Sequence, residues 1–78
     1  MKELLQFIIK EIIEESDFSI EETDEENTTR LRIVAQNKDL GLIIGKNGVT
    51  IKSIQNILRV KGRLEGKLVF VDVAESSN

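Results

Sequence analysis

The first clear hydrophobic pattern lies at the start of the chain. Between residues 2 and 15, aliphatic side chains recur every three or four positions, the spacing that places them on one face of an α-helix. Charged side chains occupy the opposite face, and Phe7 falls among them, where it either folds along the surface or contacts a partner. The pattern predicts an amphipathic helix over 2–15, with these core residues: Leu4, Leu5, Ile8, Ile9, Ile12 and Ile13.

Two alternating segments follow, and they predict a β-hairpin. Residues 18–22 form the first strand, and residues 29–36 form the second. The acidic segment 23–27 between them lacks the glycine and the spaced glutamate of an EF-hand loop, so we interpret it as a solvated turn. The residues expected to face inward are Phe18, Ile20, Leu31, Ile33 and Ala35, and those expected to face outward are Arg30, Arg32 and Val34.

The rest of the chain predicts two helices and a last strand. Asn37 suits the N-cap of a short helix over 38–44, which Gly45 ends. Residues 49–61 form a second helix, and Gly62 is expected just beyond its end. The β-branched segment 67–73 predicts a strand. In the second helix the inward residues are Ile51, Ile54, Ile57 and Leu58; in the strand they are Val69, Val71 and Val73, with Leu68, Phe70 and Asp72 facing outward.

The order of these elements predicts an α+β fold. The first two strands form an antiparallel hairpin, and a helical crossover makes the last strand parallel to its neighbour and right-handed. All three helices must cover one face of the three-stranded mixed sheet, because 78 residues cannot supply a second layer of helices. We expect one domain over 1–74 and a frayed tail over 75–78.

Candidate chemistry is concentrated between the two short helices, in a tetrad formed by Gly45, Lys46, Asn47 and Gly48. Glycine permits a positive φ and a close approach of another backbone. Lys46 adds a mobile positive charge, and Gly48 opens a helix whose first N–H groups and positive dipole end favour an anion. The tetrad is therefore suited to hold a phosphate backbone. A tight turn between helices, with glycines for geometry only, is the alternative for the bare tetrad.

The flanks of the tetrad favour the functional interpretation. Ile43 and Ile44 precede it, and Ile51 and Ile54 follow at helical spacing. This segment resembles the signature of the KH domain, whose G-x-x-G loop grips the backbone of about four nucleotides. Over essentially the whole chain, the order of elements resembles the type II, bacterial arrangement of that fold. A single KH domain of this length is similar to the small bacterial KhpA family.

The resemblance implies a function and partners. It implies an RNA chaperone that binds single-stranded RNA, and that pairs with a second KH protein of the KhpB (Jag) type. It also implies post-transcriptional regulation linked to the cell wall and to cell length.

The same resemblance implies the site residues. Gly45, Lys46, Asn47 and Gly48 match the loop that contacts the RNA backbone, and the last strand around 68–70 matches the far wall of the base-binding groove. The positions near the floor of that groove are Ile43, Ile44, Val49 and Ile51. From the helical pattern itself, Lys52 and Arg59 form an exposed basic flank beside the tetrad. The chain has three Phe and no Tyr or Trp, so we expect weak binding with loose sequence preference.

The charge distribution changes the meaning of a net charge of −3. Residues 1–28 carry ten acidic and two basic side chains, whereas residues 29–78 carry nine basic and four acidic ones. The positive charge therefore lies in the half that contains the tetrad, where it can steer a polyanion. The chain has no Cys and no His, which excludes thiolate catalysis, imidazole ligands and disulfides. We expect no enzymatic activity, no metal, no cofactor, no membrane insertion and a cytoplasmic location.

Exposed apolar residues suggest association. Val49, Ser53 and Val60 lie opposite the core side of the second helix of the pair, and Leu68 and Phe70 lie on the outer sheet face of a strand that is expected at an edge. Either surface fits a homodimer, or a heterodimer with a second KH protein; the alternative is a monomer with scattered apolar residues. A protein-interaction scaffold without RNA affinity is the competing function.

Overall fold

The computed structural model describes residues 1–13 and 17–76, and it confirms the predicted order of elements. The helices and strands are α1 (Lys2–Ile13), β1 (Phe18–Glu25), β2 (Thr28–Ala35), α2 (Asn37–Ile44), α3 (Val49–Leu64) and β3 (Leu68–Glu75). A 3₁₀ turn, Lys46–Gly48, joins α2 to α3. The end of the first helix was predicted at 14 and 15, which lie outside the described residues.

The sheet has the order β1-β2-β3, so β2 is central and both of its neighbours are edge strands. β1 pairs with β2 in antiparallel register, with Ile20 opposite Ile33. β3 pairs with β2 in parallel register, with Val73 opposite Ile33. This mixed topology is the predicted one.

The core lies between the sheet and the three helices, all of which pack on one sheet face. Its buried members are Leu5, Ile9, Ile13, Ile20, Leu31, Ile33, Ala35, Ile43, Ile54, Leu58, Val69 and Val71. Ile57 was predicted to face inward, but its side chain is 49% exposed. At about 100° per residue it lies roughly 100° from the middle of the buried arc of α3, where packing against the sheet has ended.

The hairpin is longer than predicted. The acidic segment 23–27 is not a loop: β1 continues to Glu25, and the turn consists of Glu26 and Asn27, with Glu26 at φ 50°. Thr29 donates a hydrogen bond from Oγ1 to the Asp24 carboxylate at 2.6 Å, and Lys67 lies 3.6 Å from the same carboxylate. These contacts keep the acidic residues in the antiparallel ladder.

The predicted cap of α2 is wrong by one residue. Gln36 is the N-cap, without a side-chain hydrogen bond, and Asn37 is the first helical residue. The Asn37 amide instead donates to the Glu75 carboxylate at 3.0 Å. A contact with the end of the sheet has therefore replaced a local cap.

The predicted ends of α3 and β3 also need correction. α3 continues through Gly62 to Leu64, and the positive φ of 72° that follows belongs to Gly66. β3 extends through Glu75, and the Ser76 N–H donates to the Ala35 carbonyl at 2.8 Å. The segment predicted as a tail thus begins inside the sheet, and its last residues, 77 and 78, lie outside the described part of the chain.

Candidate nucleic-acid interface

Gly45 ends α2 in a conformation that needs glycine. Its φ is 78° and its ψ is 169°, and its N–H donates to the Gly41 carbonyl at 2.9 Å. A Cβ atom at this position would collide with Thr50 Oγ1 and lie 2.7 Å from Thr50 Cβ. Glycine is therefore required at position 45 for two reasons: its positive φ and the close approach of Thr50 on α3.

Asn47 and Gly48 continue the turn in the left-handed region. Asn47 has φ 59° and ψ 21°, and Gly48 has φ 75° and ψ 15°. Asparagine is among the non-glycine residues that adopt this region most readily. A Cβ atom at Gly48 would meet only Lys52 Cε, at 3.9 Å. Gly48 is thus needed for its conformation rather than for space, and the Lys52 stem lies beside the tetrad.

Two main-chain N–H groups at the tetrad do not have the free state that the sequence predicted. The Gly48 N–H donates to the Gly45 carbonyl at 3.0 Å, and the Val49 N–H donates to the Lys46 carbonyl. Two of the N–H groups at the start of α3, which were expected to attract an anion, are thus already bonded within the turn. Lys46 and Asn47 are exposed. A phosphate at this turn would meet the Lys46 ammonium, the Asn47 amide and the positive end of α3.

The four apolar residues predicted near the groove floor have different positions. Ile44 and Ile51 are half-buried, on either side of the tetrad, so their side chains reach the surface there. Ile43 is fully buried and belongs to the core, so its side chain holds α2 in place rather than facing a ligand. Val49 is 62% exposed and lies about 160° around α3 from Ile51, on the outer side of the helix. Of the four, Ile44 and Ile51 therefore remain the candidates for the floor of the groove.

Gln55 joins α3 to β3 on the side of the strand where the far wall of the groove was predicted. The Gln55 side chain donates a hydrogen bond from Nε2 to the Val71 carbonyl at 2.9 Å. Gln55 follows Ile51 by one helical turn, so both lie on the same side of α3. The sequence placed Gln55 only near the basic flank, and placed the wall at 68–70. No local pattern marks a contact between residues sixteen positions apart.

The Val71 carbonyl lies at the open edge of the sheet. The N–H and C=O of one residue in a strand point the same way, and this direction alternates along the strand. The Leu68 N–H points toward β2, because it donates to the Asn27 carbonyl at 2.8 Å. The polar groups of Val69, Val71 and Val73 therefore face outward. Gln55 satisfies one of these edge acceptors.

The basic flank is present as predicted. Lys52 and Arg59 are exposed and lie two turns apart on the same side of α3, and the Arg59 guanidinium donates to the Asn56 side chain at 3.2 Å. Arg63, which the sequence argument did not include, extends this row by one turn and is also exposed. Lys61 differs, because its ammonium pairs with the Glu65 carboxylate at 3.2 Å.

The turn of the acidic hairpin lies away from the tetrad. The turn of the acidic hairpin adjoins the start of β3, since Asn27 accepts the Leu68 N–H. That point lies near the C-terminal end of α3, whereas the tetrad precedes its N-terminus. The 16 residues of α3 span about 24 Å. This distance exceeds a Debye length of about 10 Å at moderate salt, so the acidic turn does not cancel the charge near the tetrad.

Within 1–13 and 17–76, no helix is long and apolar enough to cross a membrane. The same residues contain no group of three or more His, Cys, Asp or Glu side chains placed to hold a metal ion.

Comparisons with known proteins show which proteins this chain is similar to. The family model described as KhpA/KhpB, KH domain, matches residues 2–73. The "RNA-binding protein KhpA" of Thermotoga maritima is 41% identical over 59 residues, which are 74% of this chain and 79% of that protein. The protein of the same name from Chlamydia trachomatis is 36% identical over 76 residues, covering 96% of this chain and 97% of the relative. The protein of that name from Clostridium perfringens is 30% identical over 74 residues, covering 94% of this chain and 99% of the relative.

Proposed function

Because this chain belongs to the KhpA/KhpB family of KH domains, we propose that it binds single-stranded RNA through the Gly45–Gly48 tetrad. The relatives described above are all called RNA-binding proteins. The observation that carries the proposal is the tetrad itself: a left-handed turn exposes Lys46 and Asn47 directly beside the half-buried Ile44 and Ile51. A turn that served only to join two helices would not need an exposed cation next to an apolar floor.

The proposed mechanism separates two kinds of contact. Phosphates bind at Lys46 and along the basic flank, which positions the strand without reading its sequence. Bases lie on Ile44 and Ile51 and meet the Gln55–Val71 wall. Aliphatic side chains hold bases by van der Waals contact only, so a single domain binds weakly and with little discrimination.

In the cell, this binding would serve an RNA chaperone that acts in post-transcriptional regulation in the cytoplasm. We propose this role, together with a link to cell-wall growth and cell length, as what the resemblance to the KhpA family implies. A weak, sequence-tolerant site suits a chaperone, because such a protein must release many different RNAs.

A protein partner is the second part of the proposal. The outer face of α3 carries four exposed apolar side chains: Val49, Ile57, Val60 and Leu64. They recur over the whole helix: Val49 and Val60 lie opposite its core contacts, and Ile57 and Leu64 border that face. Such a row is the pattern of a helix that packs on another helix. We propose that this face forms a homodimer, or a heterodimer with a second KH protein of the KhpB (Jag) type. It is also the observation that favours the competing function, a protein-interaction scaffold without RNA affinity.

The deciding experiment is a charge reversal in the tetrad. The double variant Lys46→Asp/Asn47→Asp places two carboxylates where the phosphates would lie, so RNA binding should be abolished while the circular dichroism spectrum is unchanged. The matched control is Lys10→Asp/Asn27→Asp, which changes the net charge equally at exposed positions outside the tetrad. An RNA titration followed by amide NMR shifts maps the site in the unsubstituted protein. Retained affinity in a folded tetrad variant would overturn the assignment and favour the scaffold.

A further inference from the structure

The open face of the sheet carries a cation stacked on an aromatic ring. Arg30 on β2 and Phe70 on β3 are direct neighbours in the parallel register. The Arg30 Cζ atom lies 4.9 Å from the centre of the Phe70 ring. Both side chains are exposed, with 49% of Phe70 accessible, and they line a hollow of about 210 Å³. An exposed pair of this kind offers a flat surface to a further planar group.

Two acidic and two basic side chains line this hollow, and they differ in their contacts: Glu21, Asp72, Arg30 and Arg32. Arg32 lies 3.3 Å from the Asp72 carboxylate and opposite Glu21, and these two acids raise the pKa of its guanidinium, chiefly through the Asp72 hydrogen bond. Both carboxylates therefore act on Arg32, and only Asp72 forms an ion pair with it among the described residues. The neighbours of Arg30 across the sheet are Thr23 and Phe70, which are neutral. Among the described residues, no carboxylate forms an ion pair with Arg30.

Strand β3 lies between this hollow and the proposed RNA groove. Val71 turns its carbonyl to the open edge, where Gln55 meets it. Phe70, the preceding residue, turns its side chain to the open face. Adjacent residues in a strand are only about 3.3 Å apart along the chain. A nucleic-acid strand leaving the groove would therefore pass the edge of a single strand before it reached the Arg30–Phe70 pair.

We propose that single-stranded RNA longer than the groove continues around the edge of β3 and stacks a base on the Arg30–Phe70 pair. The inference rests on the proposed RNA binding at the tetrad. Bases stack on aromatic rings and on guanidinium planes, and Arg30 keeps N–H donors for the adjoining phosphate. The tetrad and its groove hold about four nucleotides, so the second contact acts only on longer strands.

The test compares oligoadenylates of four and ten nucleotides by fluorescence anisotropy. Phe70→Leu keeps an apolar side chain and removes the ring. Because base–aromatic stacking contributes about fivefold or more in affinity, this variant should weaken binding of the ten-mer by at least that factor. Binding of the four-mer should stay within about twofold, because the tetrad is untouched. Arg30→Gln should act in the same direction, which provides a second variant should Phe70→Leu disturb the fold.

The matched control is Phe7→Leu, which removes another exposed ring from α1 and should change neither affinity. Equal effects of Phe70→Leu on both lengths, or no effect on the ten-mer, would overturn the inference while leaving the tetrad site intact. A shift in self-association without a change in RNA affinity would also overturn it, and would identify a protein-docking face. If the unsubstituted protein binds neither length, the proposed function and this inference both fail.

Discussion

Gly62 of α3 and Val69 of β3 meet so closely that a Cβ atom at position 62 would collide with Val69 Cγ2. It would also lie 2.9 Å from the Lys67 carbonyl oxygen. The contact brings the backbone of α3 directly against β3. Gln55 lies two turns earlier in the same helix, and this approach allows it to reach the Val71 carbonyl. The Gln55–Val71 contact, which we propose as the far wall of the groove, therefore depends on a glycine that is distant from the tetrad.

Gly62→Ala should lower the free energy of unfolding. In an unobstructed helix this change raises stability by about 0.5–1 kcal/mol. Here the methyl group must displace Val69 or the backbone at Lys67, and overpacking of this kind typically costs about 1–3 kcal/mol. Gly41→Ala is the matched control, because a Cβ atom there meets nothing within 4 Å. Urea unfolding of both variants measures the difference; a gain in stability for Gly62→Ala would contradict the close contact.

RNA affinity should fall with salt in proportion to the phosphates engaged. If Lys46, Lys52 and Arg59 neutralise two or three phosphates, log K against log salt has a slope of about −1.4 to −2.1, at about −0.7 per phosphate. Arg59→Gln should reduce the magnitude of that slope by about 0.7. Lys10→Gln on α1 serves as the control and should leave it unchanged. A slope near zero in the unsubstituted protein would show that the basic flank is not engaged.

Association should depend on α3 rather than on the open sheet face. Val60→Glu places a carboxylate in the centre of the apolar outer face of α3, where burial of an unpaired charge is costly. We expect it to weaken a dimer by about tenfold or more. Phe70→Lys, on the sheet, should leave the equilibrium as it is. Sedimentation measures both, and a single monomeric species at high micromolar concentration would rule out a stable homodimer.

The acidic hairpin should lose stability in acid through Asp24. The Thr29 hydrogen bond, followed by the charge of Lys67, lowers the pKa of Asp24 below its usual value of 3.8. A lowered pKa in the folded state stabilises the fold above the unfolded pKa. That contribution disappears as the pH falls from about 3.8 through the lower folded value.

Thr29→Val removes the hydrogen-bond donor at nearly constant size. The pKa of Asp24 should therefore rise toward its usual value, which an NMR titration of the Asp24 carboxyl measures directly. Thr28→Val, at the neighbouring position, should leave the titration unchanged. An unaltered Asp24 pKa in Thr29→Val would show that the hydrogen bond at 2.6 Å has no influence on the carboxylate.

The order of helices and strands follows from the sequence, because each segment shows the period of its own secondary structure. The same is true of the tetrad. Gly45, Asn47 and Gly48 adopt the positive φ values that their residue types favour, and such preferences are local. The stripe of α1 likewise identified the side that faces the core, since a repeating pattern averages over many positions, but only Leu5, Ile9 and Ile13 of its six residues are buried, and the other three are partly buried. The alternation of β2 identified Leu31, Ile33 and Ala35 correctly and missed the buried Thr29.

Tertiary packing decided the burial and the contacts of individual residues where helices and strands meet. The sequence could not distinguish Ile43, buried against the core, from Ile44, which reaches the surface beside it, because both continue the same apolar run. Glycine commonly marks the end of a helix, but Gly62 is buried within α3, because β3 approaches too closely to leave room for a side chain. The Gln55–Val71 and Arg30–Phe70 contacts join residues sixteen and forty positions apart. Periodicity reports which face a residue occupies, whereas the distance between two faces is set only when the helices and the sheet pack together.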